Sequence, residues 1–328
     1  MQNQTVDALA LIQASQYSYW RVSVTKPEET VVSKSATGSE PVPGDLVPFA
    51  CLLAKAISEE IGRNGSDERA FTVAVQKLRF RVQMMGLSKK MAAARLVQTS
   101  LPDFEDLRLG ILASKILRGE ELRRDGGLVI FSGPIGSGKT TTAMATIDDQ
   151  LKEFGGFCLS IEDPIEFPAM SGFHGEKGGF MEQIAAKNLD YHTPLIEALR
   201  CFPPGQQGIL FIGEIRDPKT AAEALRFSLA GNLVITTIHS SNEINALNRI
   251  LSLASMGGES QARNLLASSL KLVVHQTLEH NTPFVRMLKG SIDPNSPVCG
   301  RIMSGGDLSV LQDHVEPRQK VRASLSLG

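Results

Sequence analysis

Aromatic residues are scarce, at 5% of 328 positions with a single Trp. A surface that stacks several bases in a row needs more planar side chains, so sequence-independent strand binding is disfavoured. Charge of one sign is also missing: 34 basic residues face 35 acidic ones, a formal net charge of −1. Bulk attraction to nucleic acid or acidic lipid is therefore not expected, which leaves room only for a local basic patch. The cysteines Cys51, Cys158, Cys201 and Cys299 form no C-x-x-C pair. That removes zinc knuckles and thioredoxin-like motifs and leaves reduced, mostly buried thiols. No apolar run approaches the roughly 20 residues of a membrane span. The first residues carry Asp7 and no Lys or Arg before Arg21, so the basic start of a secretory signal is lacking. The expectation is a cytoplasmic protein that meets a membrane only through partners.

What is present is ample apolar material, 42% of the chain with 29 glycines besides, enough for one large or two modest cores. Residues 26–48, rich in Pro, Ser, Gly and charge, read as a flexible loop. Before it, WRVSV alternates like a strand. After it, PFACLLAKAISEEI has helical spacing until Gly62 and Asn64. In VQKLRFRVQ, Leu78, Phe80 and Val82 alternate with Lys77, Arg79 and Arg81, the pattern of a half-buried strand with a cationic face. These pieces predict a small α/β domain over residues 1–100, a second domain over 101–280 and a short tail over 281–328.

In the second domain LVIFS, FCLSI, ILFIG and LVITTIH are continuous apolar runs of strand length, separated by helical patterns. Such alternation predicts a mostly parallel sheet covered on both faces, with ligands at the carboxyl ends of its strands. Chemistry is therefore expected just past the end of each run.

After the first run stands Gly133-Pro134-Ile135-Gly136-Ser137-Gly138-Lys139-Thr140, a complete G-x-x-x-x-G-K-[ST], followed by Thr141. Its glycines allow successive N–H groups to face a phosphate, and the helix that follows adds its positive end. Lys139 is the candidate contact to the β and γ phosphates of ATP, and Thr140 the hydroxyl for Mg²⁺. After the second run come Glu162, Asp163 and Glu166, candidates to orient or deprotonate an attacking water or to hold metal-bound waters. After the third comes Glu214, placed to complete a Mg²⁺ shell, then Asp217-Pro218, which reads as a helix cap. After the fourth comes His239, for which structural and phosphate-sensing roles are equally open.

GPIGSGKTTT, IEDPIEF, GEIRD and TTIHS stand in the order and rough spacing of the Walker A, Asp box, Walker B and His box of the PilT-like secretion ATPases. That family serves type IV pili and type II and type IV secretion. The resemblance is firm from about Leu101 to Leu278. It implies a RecA-like P-loop NTPase core, a PAS-like N-terminal domain, and a homo-hexameric ring that binds ATP and Mg²⁺ and works with inner-membrane platform or secretion-channel proteins. By the same resemblance Glu166 is the candidate general base, Glu214 the Walker B acid, and His239 a functional residue. LRFRVQ and the segment after it resemble the family stretch that brings arginines towards the nucleotide, which makes Arg81 and Arg95 candidates; Arg79 is not chosen.

The chain departs from the family pattern in two places. Asn232 stands where many relatives have a second histidine, and Pro203-Pro204-Gly205-Gln206-Gln207 replaces a charged run before Walker B, while Arg200 is retained. The paired cysteines of the extension and type II assembly branches are missing, which points to a retraction-like or type IV secretion motor. The rivals are a RecA-like nucleic-acid translocase and a nucleotide-dependent scaffold that barely hydrolyses.

Overall fold

The computed structural model describes residues 13–34, 38–64, 70–86, 90–97, 100–186, 190–198, 200–202, 208–279 and 282–316. They fall into two compact units that divide between Ser100 and Leu101.

The first unit is a six-stranded antiparallel sheet, β1 (Tyr19–Ser23), β2 (Val31–Ser33), β3 (Ser39–Pro41), β4 (Ala70–Val75), β5 (Leu78–Met85) and β6 (Met91–Val97), in the order β3-β2-β1-β6-β5-β4. The helix Val47–Asn64 packs Phe49, Leu53 and Ile57 on one face of it. Trp20 sits fully buried between Phe49 and Phe80, with ring centroids 5.3 and 6.2 Å away. The predicted alternation of β5 holds, with Phe80 and Val82 inward and Arg79 and Arg81 on the opposite face. The loop expected over residues 26–48 is corrected: its described part pairs as β2 and β3, and the helix begins at Val47. Pro41 is tolerated because β3 is an edge strand, where a missing N–H breaks no interior ladder.

The second unit is a nine-stranded mixed sheet. Its strands are β7 (Gly127–Gly133), β8 (Phe157–Glu162), β9 (Gly172–His174), β10 (Gly179–Ala185), β11 (Gly208–Ile212), β12 (Leu233–His239), β13 (Leu270–Glu279), β14 (Thr282–Lys289) and β15 (Val315–Glu316). Their order is β15-β14-β13-β7-β12-β11-β8-β10-β9, and the run from β13 to β10 is parallel. The four runs singled out in the sequence are therefore four adjacent parallel strands at the centre. Val129 and Phe131 face the helices Ile111–Arg118 and Lys139–Phe154. Leu128 and Ile130 face the helices Pro218–Ser228, Glu243–Met256 and Ala262–Ser269. Burial on both sides is why these strands read as unbroken apolar runs rather than alternating ones.

The separate tail expected from residue 281 is corrected for its described part. β14 pairs along the length of β13, β15 pairs with β14, and Val285, Met287, Leu288, Val298, Ile302, Leu308 and Leu311 are core residues. Residues 203–207 lie outside the described residues. Asn232 stands at the amino-terminal end of β12, where its Oδ1 accepts from the Gly208 N–H at 3.0 Å. It lies at the opposite end of the strand from His239.

Candidate active site

β7 ends at Gly133 and the chain turns through Pro134–Gly138 into the helix Lys139–Phe154. Two glycines are required by position. Gly133 has φ +146° and a Cβ there would overlap the Gln276 carbonyl; Gly138 has φ +82° and a Cβ would lie 2.9 Å from Gln276 Nε2. The helix has no side-chain hydrogen bond at its N-cap, so no side chain of the cap competes for its first N–H groups. Pro134, Ile135 and Gly136 are exposed, whereas Ser137 and Lys139 are buried. Thr140 and Thr141 follow on the first turn, half-buried.

Lys139 Nζ donates to the Pro134 carbonyl at 2.7 Å and lies 3.2 Å from His239 Nδ1. The same Nδ1 lies 3.4 Å from the Gly133 carbonyl, so it stands between a donor, the Lys139 ammonium, and an acceptor. Nε2 faces Glu214 Oε2 at 3.5 Å. Burial, reinforced by the Lys139 charge, holds the His239 pKa below its ordinary value. The same Glu214 oxygen is paired with Arg216. Arg216 also meets the fields of Tyr191 and Asp163. Tyr191 is pushed up to about 12 by burial, with Asp163 adding to the shift. A connected line of contacts thus runs from Lys139 through His239 and Glu214 to Arg216. The register explains it: Gly133 is directly beside His239 on β12, and β11, which delivers Glu214, is the next strand.

The acidic loop at the end of β8 divides its roles. Glu162 is almost fully buried; it accepts from Ser160 Oγ, from Gln183 Nε2 at 3.0 Å and from the Glu166 N–H at 3.3 Å. Burial raises its pKa against those bonds. With its oxygens so engaged Glu162 anchors the loop, on which the two other candidate acids, Asp163 and Glu166, are half-buried. Glu162→Ala strands three donors, about 1–3 kcal/mol for each one left buried and unpaired. The expected result is a lower melting temperature, together with slower turnover if Glu166 acts in the reaction. Full retention of both would show that the anchor is dispensable.

Beyond Glu166 the chain is tied to the helix Lys139–Phe154. His174 Nδ1 meets Asp148 Oδ1 at 2.7 Å and His174 Nε2 meets the Met170 carbonyl at 2.7 Å. Two acceptors require both ring nitrogens to carry protons, so the imidazolium fits this pair best. The Asp148 hydrogen bond raises the His174 pKa against burial, with Lys152 the nearby opposing charge. A raised folded-state value gives stability that is complete below the ordinary value of 6.5 and is lost as pH rises through the shifted one. The melting temperature of wild type should therefore fall across that rise relative to His174→Asn, and parallel pH profiles for the two proteins would contradict the ion pair.

Arg81 and Arg95 belong to the first unit, where they are cross-strand neighbours on β5 and β6. Arg81 is half-buried and Arg95 exposed. Asp217 caps the helix Pro218–Ser228 by accepting from the Thr220 N–H at 2.9 Å, as its sequence context predicts. Three participants were not legible from the motifs. They are Arg216, inside GEIRD but unassigned; Gln183, on a strand the pattern did not reveal; and Gln276, whose Nε2 donates to the Ser137 carbonyl at 2.7 Å.

Among the described residues no cluster of three or more His, Cys, Asp or Glu could hold a metal ion by itself. A threonine hydroxyl and a buried carboxylate, Thr140 and Glu214, instead suit a hard cation that keeps most of its waters and takes further oxygens from phosphates. The glycine turn and the uncapped helix start suit the phosphates themselves.

The type II/IV secretion system protein family matches residues 59–291. The chain belongs to that family. A twitching motility protein of Neisseria gonorrhoeae is 31% identical over 203 residues, 61% of this chain and 50% of that protein. The type IV pilus retraction ATPase PilT of Pseudomonas aeruginosa is 30% identical over 203 residues, 61% of this chain and 55% of that protein. The chain thus spans about half the length of these relatives. A crystal structure of the pilus retraction motor PilT with bound ADP superposes with a TM-score of 0.67 at 23% identity, covering 94% of this chain and 89% of that one. This likeness fixes a shared mixed α/β fold across both units. No helix among the described residues is long and apolar enough to cross a membrane.

Proposed function

We propose that this family member is an ATP-hydrolysing motor with a RecA-like P-loop core and a PAS-like N-terminal domain. It would assemble as a hexameric ring in the cytoplasm, held at the inner membrane by platform or channel proteins, and drive a retraction-like pilus or a type IV secretion machine. The observation that carries this reading is the joined line at adjacent strand tips, Lys139 to His239 to Glu214. A cation, an imidazole and an acid stand side by side next to the glycine turn, which supports a phosphate chain lying along it.

In this reading Lys139 leaves the Pro134 carbonyl for phosphate oxygen, and the helix start supplies N–H groups. Mg²⁺, held by Thr140 and through water by Glu214, would supply charge neutralisation as the terminal phosphoryl departs. Glu166 accepts a proton from the attacking water at its carboxylate. β8 is three strands from β7, about 14 Å at ~4.8 Å per step, so the loop 163–166 must lean inward to reach the terminal phosphate. His239, touching both Lys139 and Glu214, is placed to register whether that phosphate is present. Arg81 and Arg95 remain candidates to contact nucleotide from the first unit.

Phosphate release from purified protein with Mg-ATP tests the proposal, with Lys139→Ala as the control. Release from wild type that is absent from the control supports a motor. ATP binding without detectable release would favour the scaffold reading, and steeply salt-dependent binding of single strands the translocase.

A further inference from the structure

We infer that Gln276 is a positioning residue of the phosphate loop, holding one of its peptide planes in the orientation that anion binding needs. The inference rests on the nucleotide-binding reading of residues 133–140.

An anion cradle made of backbone N–H groups has a counterpart: the carbonyls of the same peptides point the other way and need donors of their own. Within the loop, the Pro134 carbonyl accepts from Lys139 Nζ at 2.7 Å and from the Ser137 N–H at 3.3 Å. The Ser137 carbonyl accepts from Gln276 Nε2 at 2.7 Å. These two side-chain donors differ in kind. Lys139 is the loop's cation and is needed at the phosphate, whereas the Gln276 amide is neutral and 2% exposed on β13.

Peptide geometry turns this bond into a constraint on the cradle. Because the Ser137–Gly138 peptide is planar and trans, fixing its carbonyl towards β13 aims the Gly138 N–H in the opposite direction. Gly138 has φ +82°, an orientation in which a glycine peptide turns easily if nothing holds it. Gln276 holds it through the Ser137 carbonyl, and the backbone of the same residue runs so close to Gly133, where β7 ends, that a side chain there would overlap its carbonyl. The other amide atom, Oε1, is buried and has no hydrogen-bond partner among the described residues. The hydrogen bond of this amide thus goes to the loop. β13 lies on the side of β7 away from β12, so the loop is gripped by Gln276 on one flank and by His239 on the other.

The test separates positioning of phosphate groups from general support of the fold. Displacement of a fluorescent ADP analogue is measured with ADP, with tripolyphosphate and with adenosine, on wild type and on Gln276→Met, which keeps the length and apolar stem but has no donor. The expected result is a loss of about tenfold for ADP and tripolyphosphate, ~1.4 kcal/mol, with adenosine unchanged within about twofold. Equal ADP affinity in wild type and variant would remove the inference alone. So would an equal loss for adenosine and ADP, the mark of a generally loosened domain. Wild type that binds no ADP would remove the nucleotide reading with it. Should Gln276→Met lose its melting transition, Gln276→Asn carries the test with the same expected order, because its shorter amide withdraws from Ser137 while staying polar.

Discussion

Replacing Lys139 with alanine is expected to weaken ATP binding at least about a hundredfold, ~2.8 kcal/mol, while leaving the protein folded. The side chain is 5% exposed, and in a pocket so shielded a cation facing phosphate oxygens acts through a low effective dielectric. Two of its partners in the structure are the Pro134 carbonyl and His239 Nδ1. Neither of these is a carboxylate that the alanine variant would leave unpaired, and its melting temperature should stay close to that of wild type. Calorimetric titration with ATP, read beside a thermal melt, checks both halves. Unchanged affinity in a folded variant would mean that the turn at 133–138 does not hold the triphosphate.

The second large effect is on turnover. Glu214→Gln and Glu166→Gln should each cut ATP hydrolysis by about 100-fold or more while ATP still binds. For Glu214 the argument is position: it is 7% exposed, one strand from the tip that carries His239, and its Oε2 is held by both His239 and Arg216. The amide keeps the size and loses the charge that steadies a hydrated cation. For Glu166 the argument is its loop, whose backbone is clipped to the anchored Glu162 so that the side chain is carried by a fixed frame. Single-turnover assays at saturating ATP separate the chemical step from binding. Variants that hydrolyse as fast as wild type would leave the two acids with structural roles only.

How much of this could be read from the residue string depends on how local each signal is. The glycine turn between β7 and the helix Lys139–Phe154 was legible because its glycines, lysine and threonine are contiguous and its geometry is backbone geometry. The four central strands were legible because burial on both faces leaves uninterrupted apolar runs. β13 was harder: Lys271, His275 and Gln276 interrupt its apolar run, although all three are buried and bonded within the domain. His275 is pushed down to about 4 by burial, beside Ser132 Oγ at 3.0 Å, and so serves as a neutral core group rather than an exposed polar one. β3, Ser-Glu-Pro, was hidden by composition, since Ser and Pro are loop-like anywhere except at a sheet edge, and β2 is only three residues long. The Glu162 anchor was hidden for another reason. Nothing in IEDPIEF distinguishes a carboxylate that faces solvent from one that faces Ser160 and Gln183, and Gln183 sits 21 positions away.

The claim on which the account stands is that one triphosphate spans the glycine turn and the acids at the neighbouring strand tips. A crystal structure with a non-hydrolysable ATP analogue and Mn²⁺, the metal located by its anomalous signal, tests it most directly. The account predicts phosphates over residues 134–140, with the metal beside Thr140 on the side that faces Glu214. Nucleotide bound elsewhere, or a metal remote from both residues, would contradict it.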